Sequence, residues 1–485
     1  MRLHMSAVNH ALRRIAPSLS FALVVAFLLV LWIAGGASRA DVPGQVVTRA
    51  AAWLVLIILI LFPARADWRD SRTVIVLTAA TLAMVVIQLI PLPPSAWLAL
   101  PGRSILAEAA EASGQSQPYR PISISPVGTW NALWSLVVPV VTLVLALRLT
   151  APEHRRLLTV LLVLTGASGL YALLQFSGGQ LDHPLINDIL GDVSGNFANR
   201  NHFALFAAIG CLLSPIWAFN TPRPARWRYP AAAALVVLFG LLILASGSRA
   251  GLLLGAIGIA AGLFAVRGPA LRELKRLPRG LALAFVGGAF AFALAALVLS
   301  ITMDRAVSLD RVAGLESGED LRARALPVVL AITGEYFPVG TGFGTFDPAY
   351  RMAEPYELLN RQYFNHAHND LLEIVLEGGI LAAILLIAAI GWWLWKSAGV
   401  WRRPAEPGAM LPLAGSSVLL LVMVASIWDY PARTPIVMAV IILAAVWLAR
   451  PASPFRSQAT GTAPAIRQEP GRRMPSPQGL SRSRR

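Results

Sequence analysis

Residues 371–395 read LLEIVLEGGILAAILLIAAIGWWLW, a run whose only charged side chains are Glu373 and Glu377. A helix rises about 1.5 Å per residue, so this run is long enough to cross the ~30 Å hydrocarbon core of a bilayer. Lipid cannot satisfy the open edge of a strand, which leaves a helix as the only economical structure. The stretch therefore predicts a transmembrane helix.

Similar apolar runs recur on both sides of this one. The chain is 56% hydrophobic and 14% charged, with a mean hydropathy of +0.64, which is typical of a membrane protein and not of a soluble domain. We therefore predict an all-α, polytopic helical bundle with about 12 transmembrane helices. The predicted spans are 19–36, 46–63, 73–92, 129–147, 157–177, 202–219, 230–247, 250–266, 281–303, 371–395, 411–428 and 434–449.

The basic residues indicate topology. The net charge is +16 and the pI is near 11.1, which by itself would also suit a nucleic-acid partner. With the amino terminus inside, however, the segments on the inner side hold 28 of the 41 Lys and Arg residues. Cytoplasmic loops of membrane proteins carry this excess. We therefore predict an inner-membrane protein with both termini cytoplasmic, in contact with anionic lipids and without a nucleic-acid partner.

The chain divides into a multi-pass membrane domain, residues 1–450, and a tail, residues 451–485. The tail is rich in Pro, Ser, Gln and Arg, which predicts a disordered, basic cytoplasmic segment. Within the membrane domain, residues 304–370 have the densest charge and are predicted to form a large periplasmic loop with short helices of its own. Shorter outer segments are predicted at about 93–128 and 178–201.

The amino terminus has some features of a signal peptide. Arg13 and Arg14 precede an apolar run, and the small-residue sequence Ser38-Arg39-Ala40 follows it. The apolar run is long for a signal peptide, so we expect an uncleaved first span. Cys211 is the single cysteine, which excludes a disulfide framework within the chain and a cysteine metal site.

The run Asn365-His366-Ala367-His368-Asn369-Asp370 lies directly before the quoted stretch. The ordinary pKa of histidine is near neutrality, so either histidine suits removal of a proton from a sugar hydroxyl. Asp370 lies four residues after His366, at the spacing that would orient it on a helix. A His-x-His metal pair and an ordinary helix cap are the alternatives. We favour catalysis and predict no metal, because no third ligand stands at a convincing spacing.

Three arginines are candidate phosphate contacts. Arg249 follows Ser248 between two apolar runs at the outer surface, where an arginine is costly without a partner. A guanidinium binds phosphate through two hydrogen bonds and keeps its charge, although an arginine snorkelling to the interface fits the pattern equally well. Arg322 and Arg324 are two residues apart, so at most one of them faces a given site from a helix.

Three further segments carry polar or glycine-rich sequence. Residues 338–344, PVGTGFG, lack the Lys-Ser/Thr ending of a phosphate loop, and a plain turn is favoured. Arg200 and His202 stand at the mouth of a span, where either could line a polar cavity, although a solvated loop with a helix cap is favoured. Asp429 and Arg433, between the last two spans, could pair with each other, and an ordinary loop is favoured over a functional role.

The order of these motifs resembles the O-antigen ligase and polymerase superfamily of bacterial membrane glycosyltransferases. The similar pieces run from about Gly195 to Gly379. In order, they are GNFANRNHFALF, GSRAG, a basic cytoplasmic loop, R-x-R-A, PVGTGFGTF and FNHAHNDLLEIVLEGGI. No single piece is specific, but their order and spacing together are.

The resemblance implies an inverting, metal-independent glycan transfer without a cofactor, on the periplasmic face. The donor would be a saccharide on undecaprenyl diphosphate, and the acceptor lipid A–core, a growing polysaccharide or a protein. His368 would be the catalytic base, with His366 next. Arg249 and one of Arg322 or Arg324 would hold the diphosphate, and we also place Arg200 and Asn369 among the substrate contacts. Fixed cations would stabilise the charge that grows on the diphosphate.

Two other functions fit a chain of this kind. A transporter or flippase for a lipid-linked substrate should place ionisable residues in the middle of several spans. Here the polar residues gather at the outer surface, which favours chemistry at that face. A scaffold subunit of a polysaccharide assembly complex is the third possibility, and it should tolerate substitution of Arg249 and His368.

Overall fold

The computed structural model describes residues 18–178, 183–187, 192–221, 224–276, 280, 318–359, 364–404, 406 and 408–451. The predicted span 281–303, the first part of the predicted periplasmic loop (304–317) and the tail beyond Pro451 lie outside the described residues. Within the described part the chain is almost wholly helical, in agreement with the predicted all-α class.

The described residues of the first half form eight helices and one very short sheet. Strand β1, Pro91–Leu92, pairs antiparallel with β2, Arg120–Pro121, and Pro91 lies opposite Pro121. The helices are α1 Leu19–Ala34, α2 Pro43–Leu61, α3 Arg72–Ile87, α4 Pro94–Leu98, α5 Ser104–Ala112, α6 Pro126–Ser135, α7 Val137–Arg148 and α8 Ala151–Phe176.

The described second half holds eight more helices. Short 3-10 turns at Tyr356–Leu358 and Pro431–Arg433 interrupt the connections before α14 and α16. The helices are α9 Arg200–Phe219, α10 Arg228–Ala245, α11 Arg249–Leu274, α12 Gly318–Tyr336, α13 Phe346–Ala353, α14 Asp370–Arg402, α15 Met410–Ala425 and α16 Pro435–Ala449.

Eleven of the predicted spans coincide with apolar helices in the described residues. Seven helical stretches are long and apolar enough to cross a membrane, with α6 and α7 counted as one continuous stretch. The other four, α1, α3, α15 and α16, are equally apolar but only 15 or 16 residues long. The total of about 12 spans therefore stays a prediction.

Helix α9 is the centre of the bundle. It packs against α8, α10, α11 and α15, and nearly all of its residues are buried. Its closest neighbour, α11, presents a row of glycines to it. A Cβ at Gly258 would lie 2.6 Å from the carbonyl oxygen of Ala208, and one at Gly262 would lie 2.7 Å from that of Leu212. Small residues let two membrane helices approach backbone to backbone, which explains this row.

Helix α14 breaks at Gly379, where φ is 61°. The glycine-rich segment 338–344 docks into the break. The amide of Ile380 donates to the carbonyl of Pro338 at 2.8 Å, and the amide of Gly342 donates to the carbonyl of Glu377 at 2.8 Å. The favoured prediction of a turn at 338–344 is confirmed. The backbone groups of this turn form hydrogen bonds with the backbone groups that the break in α14 leaves unpaired within the helix.

The connections of the bundle gather at two ends. One end, called the site end below, holds the connections α1–α2, α8–α9, α10–α11 and α15–α16. It is tied together by the amide of Ala198, which donates to the carbonyl of Gly36 at 3.1 Å, and by that of Ile436, which donates to Gly35 at 3.3 Å. The connections α2–α3 and α7–α8 meet at the other end, where the amide of Asp67 donates to the carbonyl of Leu147 at 2.8 Å.

Candidate functional site

Polar side chains at the site end converge on Asp429, which is 3% exposed. Its Oδ1 lies 3.2 Å from Nδ1 of His368. Its Oδ2 accepts hydrogen bonds from the side-chain amides of Asn199 at 2.9 Å and Asn201 at 2.7 Å. A buried carboxylate is costly unless it is hydrogen-bonded and charge-balanced. These donors meet that need and fix the orientation of the carboxylate.

Helix caps supply the residues that hold Asp429. Asn199 caps α9 by accepting from the amide of Asn201 at 2.8 Å, so its NH₂ group is directed to Asp429. Ser248 caps α11 by accepting from the amide of Gly251 at 2.9 Å, and its hydroxyl donates to Oδ1 of Asn201 at 2.7 Å. The N-cap residues of α9 and α11 therefore also support the carboxylate of Asp429.

His368 has a backbone conformation that is rare outside glycine. Its φ is 49°, and Asn369 follows it as the cap of α14, accepting from the amide of Leu372 at 3.0 Å. A left-handed residue with a side chain is strained, and such strain persists where the surroundings determine the conformation. Here the left-handed residue forms the sharp turn before α14, and its side chain contacts Asp429.

His366 forms a second pair with a carboxylate. Its Nδ1 lies 2.9 Å from Oε1 of Glu373, while Oε2 of Glu373 accepts from the amide of Ala367 at 2.7 Å. Its Nε2 lies 3.3 Å from the hydroxyl oxygen of Ser38, in the α1–α2 connection. Glu373 is fully buried. The ring of His366 is therefore held on both of its nitrogens.

The prediction that Asp370 orients His366 is wrong. Asp370 accepts instead from the hydroxyl of Ser426 at 2.9 Å and from the amide of Ala432 at 3.0 Å. Helix α14 begins at Asp370, so His366 lies before the helix and the four-residue spacing does not bring the two side chains together.

Arg433 is surrounded by three buried carboxylates of α14, called the acidic cluster below: Asp370, Glu373 and Glu377. Its guanidinium lies 3.4 Å from Asp370, 3.2 Å from Glu373 and 2.9 Å from Glu377. The pair that Arg433 could have formed with Asp429 is not the one observed. The 3-10 turn Pro431–Arg433 separates the two residues, and each finds partners on a different part of the bundle.

Tyr430 packs between three histidine rings. Its ring centroid is 5.1 Å from that of His202, 4.2 Å from that of His366 and 4.9 Å from that of His368. His202 is buried, with Nδ1 3.1 Å from the hydroxyl of Thr434 and Nε2 3.8 Å from Asp429. These ring contacts with Tyr430 hold the histidine rings in place while their nitrogens face polar partners.

Burial and charge set the protonation of the pair. Burial lowers the pKa of His368, although the hydrogen bond to Asp429 and its charge act to raise it. Burial acts to raise the pKa of Asp429, but the hydrogen bond from His368 and the charges of His202 and Arg322 hold it well below its usual range. Burial also raises the pKa of Tyr430. At neutral pH the pair is a neutral imidazole beside a carboxylate, the state required of a general base.

The arginines predicted to bind phosphate have different surroundings. The charge of Arg322 acts on the pKa of both His368 and Asp429, so its side chain lies near this pair. Arg324 donates to the carbonyl of Glu357 at 3.1 Å. Arg249 is exposed in the first turn of α11, directly after Ser248.

The two other predicted substrate contacts lie at the same end. Arg200 is half exposed and lies 3.9 Å from Asp192. Asn369 acts as the cap of α14, which was the alternative weighed for this run of residues.

Sequence reasoning missed Asp429, Tyr430, Arg433 and Glu373 as members of the site. One signal for the acidic cluster was present in the sequence. Residues 370, 373 and 377 recur on one face of a helix, and three carboxylates on one face of an apolar span require a cation. For Asp429 no comparable signal exists, because its partners lie in α9 and before α14.

One family model matches the chain: residues 233–387 match a family described as O-antigen ligase. The matched segment includes Arg249, Arg322, His366 and His368, and it ends before Asp429. No curated protein matches the chain. The match covers about a third of the chain and confirms the predicted resemblance to the O-antigen ligase and polymerase superfamily.

Proposed function

We propose that this protein transfers a glycan from undecaprenyl diphosphate to an acceptor hydroxyl, with His368 as the general base. The observation that carries the proposal is the 3.2 Å contact between His368 and a buried carboxylate, Asp429, within reach of the charge of Arg322. The family match supports glycan transfer of the ligase or polymerase type in general. The donor, the roles of the residues and the inverting, metal-independent course are our proposals.

In the proposed reaction, Asp429 orients His368. The carboxylate accepts a hydrogen bond from Nδ1–H, so the proton stays on Nδ1 and Nε2 keeps a lone pair for the acceptor hydroxyl. Asp429 also stabilises the imidazolium that forms as the hydroxyl attacks the anomeric carbon. General-base catalysis of this kind contributes about 100- to 10,000-fold to a rate. The low pKa of His368 keeps the base ready at neutral pH.

Arg322 and Arg249 hold the diphosphate in this mechanism. The leaving group gains negative charge as the glycosidic bond breaks, and fixed guanidinium groups stabilise it without reorganising. Arg322 suits this role better than Arg324, because Arg324 already donates to a backbone carbonyl 33 residues along the chain. Arg200, half exposed at the same end, is proposed to contact the sugar or the lipid headgroup.

We propose that the site end faces the periplasm of a bacterial inner membrane. The end opposite the site holds Arg65, Arg69 and Arg72, in the α2–α3 connection or at its border. Arg148, the last residue of α7, lies nearby. This distribution agrees with the rule that basic residues stay on the cytoplasmic side. A carrier lipid in the outer leaflet would then present its diphosphate to the site end.

The acceptor is proposed to be either lipid A–core or a growing polysaccharide. The experiment that tests the function replaces the chromosomal copy with His368→Ala and compares surface polysaccharide and carrier-linked saccharides with the wild type. Loss of surface polymer with accumulation of carrier-linked saccharide is the expected result. Long accumulated chains would identify a ligase, and single repeats a polymerase. An unchanged profile, with normal membrane insertion, would contradict glycan transfer by this site.

A further inference from the structure

Ser38, His366 and Glu373 form a chain of three side chains beside the His368–Asp429 pair. The hydroxyl oxygen of Ser38 lies 3.3 Å from Nε2 of His366, and Nδ1 of His366 lies 2.9 Å from Oε1 of Glu373. The proposed glycan transfer assigns no role to Ser38 or Glu373. A hydroxyl beside an imidazole that a carboxylate orients is the arrangement that activates a nucleophilic serine.

The surroundings of Glu373 determine which nitrogen of His366 carries a proton. Glu373 is buried, and the guanidinium of Arg433 lies 3.2 Å from its Oε1, so the carboxylate has a cation to balance its charge. Its Oε2 already accepts from the amide of Ala367. An ionised carboxylate only accepts hydrogen bonds, so Nδ1 of His366 must donate. In a neutral ring, Nε2 then presents its lone pair to the hydroxyl of Ser38.

The backbone before Ser38 is fixed by three consecutive carbonyl groups. Gly35 accepts from the amide of Ile436 at 3.3 Å, and Gly36 accepts from the amide of Ala198 at 3.1 Å. Ala37 accepts from the side-chain amide of Gln45 at 2.8 Å. Ser38 is therefore held in place before any substrate binds, which is the preorganisation that a nucleophile needs.

Ser38 and His366 are both partly accessible to solvent. Ser38 is partly exposed, and the side chain of His366 is 14% exposed. The ring of Tyr430, 4.2 Å from that of His366 between centroids, covers one face of the base and prevents it from turning away. The neighbouring His368–Asp429 pair makes the surroundings polar, which suits a substrate that carries hydroxyl groups.

We propose that Ser38 is a nucleophile for acyl transfer, activated by His366 and oriented through Glu373, with a carboxylic ester such as the O-acetyl group of a sugar as its substrate class. This activity is separate from the proposed glycan transfer. It uses the second histidine of the run 365–370 and a residue of the α1–α2 connection.

The proposed reaction has two balanced halves. The hydroxyl oxygen of Ser38 bonds to the ester carbonyl carbon while its proton passes to Nε2 of His366. The ester C–O bond then breaks, and the departing alcohol oxygen takes that proton. In the second half, water gives a proton to Nε2 and its oxygen attacks the acyl carbon. The acyl–Ser38 bond breaks, Ser38 regains the proton, and the acid is released.

The test treats the purified full-length protein with a fluorophosphonate, which bonds covalently to activated serines, and locates the label by peptide mass mapping. Wild-type protein should be labelled at Ser38. His366→Asn should lower the labelling rate by about 100-fold or more, because the general base is lost. Glu373→Gln should also lower the rate. Ser177→Ala is the matched control, since that exposed serine donates only to the carbonyl of Leu174, and it should leave labelling unchanged.

Thermal unfolding of each variant in detergent shows that a loss of labelling is not a loss of fold. The proposal is overturned if folded wild-type protein carries no label at Ser38, or if His366→Asn is labelled at the wild-type rate. The probe needs no glycan donor. Its result therefore does not depend on whether the protein transfers glycans.

Discussion

His368 and Asp429 are 61 residues apart in the chain, and Nδ1 of the first lies 3.2 Å from Oδ1 of the second. The contact joins the start of α14 to the connection between α15 and α16, and Asn199 and Asn201 add α9 to it. The candidate base is therefore assembled by the packing of three separate helices. Its function should depend on the carboxylate and on the elements that hold it.

Asp429→Asn should lower the rate of glycan transfer by about 100-fold or more. The amide keeps the shape of the side chain but removes the charge that fixes the tautomer of His368 and stabilises its protonated form. The measurement is the rate at which purified variants release undecaprenyl diphosphate from the carrier-linked glycan. Asp347→Asn is the matched control, because Asp347 forms its salt bridge with Arg351 on the surface of α13. Equal loss in both variants would argue against a specific role of Asp429.

The pH dependence of kcat/KM should report the titration of His368. Protonation removes the lone pair, so activity falls as the pH drops through the pKa of this residue. Burial lowers that pKa from the ordinary value of about 6.5. On the acidic side of the profile, kcat/KM should therefore decline only below about pH 6.5. From about pH 7 upward, the titration of His368 should no longer change it. A midpoint above pH 7 would contradict His368 as a base in this environment.

Arg322→Gln should reduce transfer far more than Arg324→Gln. The charge of Arg322 acts on His368 and Asp429, whereas Arg324 donates to the carbonyl of Glu357. Loss of one charge-assisted contact to a phosphate is expected to cost about 1.5–3 kcal/mol, which corresponds to roughly a tenfold to hundredfold loss in kcat/KM. Steady-state kinetics on the two variants form a matched pair. A larger loss for Arg324→Gln would reverse the assignment.

Arg433→Met should destabilise the protein by about 3–5 kcal/mol, because it leaves the acidic cluster without its cation. Asp370, Glu373 and Glu377 are each at most 2% exposed, so water cannot replace the guanidinium. Thermal unfolding in detergent at neutral pH measures the effect. Arg351→Met serves as the comparison, since a surface salt bridge contributes about 0–1 kcal/mol. Equal stability of the two variants would show that the cluster needs no cation.

Gly379→Ala should destabilise the bundle, whereas Gly391→Ala in the same helix should not. At Gly379 the φ is 61°, and a Cβ would lie 2.2 Å from the carbonyl oxygen of Pro338. At Gly391 nothing lies within 4 Å of the added atom, and alanine favours a helix by about 1 kcal/mol over glycine. Thermal unfolding of both variants separates the two effects. A stable Gly379→Ala protein would show that the break in α14 is not required.

The helices were predictable because hydrocarbon imposes a strong local rule. Runs of apolar residues long enough to cross a bilayer have to be helical, and the described helices follow those runs closely. The site was predictable in part for a similar reason, since polar and charged residues at the ends of spans are costly and stand out. Arg249 was identified on that basis, whereas His366 and His368 were chosen because the ordinary pKa of histidine suits a general base.

The partners of these residues were not predictable from local spacing. Asp429 and Arg433 are four residues apart and of opposite charge, which suggests a local ion pair, yet each contacts a different group in space. Glu373 was visible only as a charge within an apolar run, although it holds both His366 and Arg433. Contacts between residues 50 or more positions apart depend on helix packing, and one sequence does not carry that information.

The most direct test of the central claim uses purified wild-type and His368→Ala protein reconstituted in lipid. Each is supplied with carrier-linked glycan isolated from the same cells and with the acceptor, and release of undecaprenyl diphosphate is measured over time. If His368 is the base, His368→Ala should release the carrier about 100- to 10,000-fold more slowly than wild type, with its thermal unfolding unchanged. Release at the wild-type rate by folded His368→Ala protein would contradict the claim.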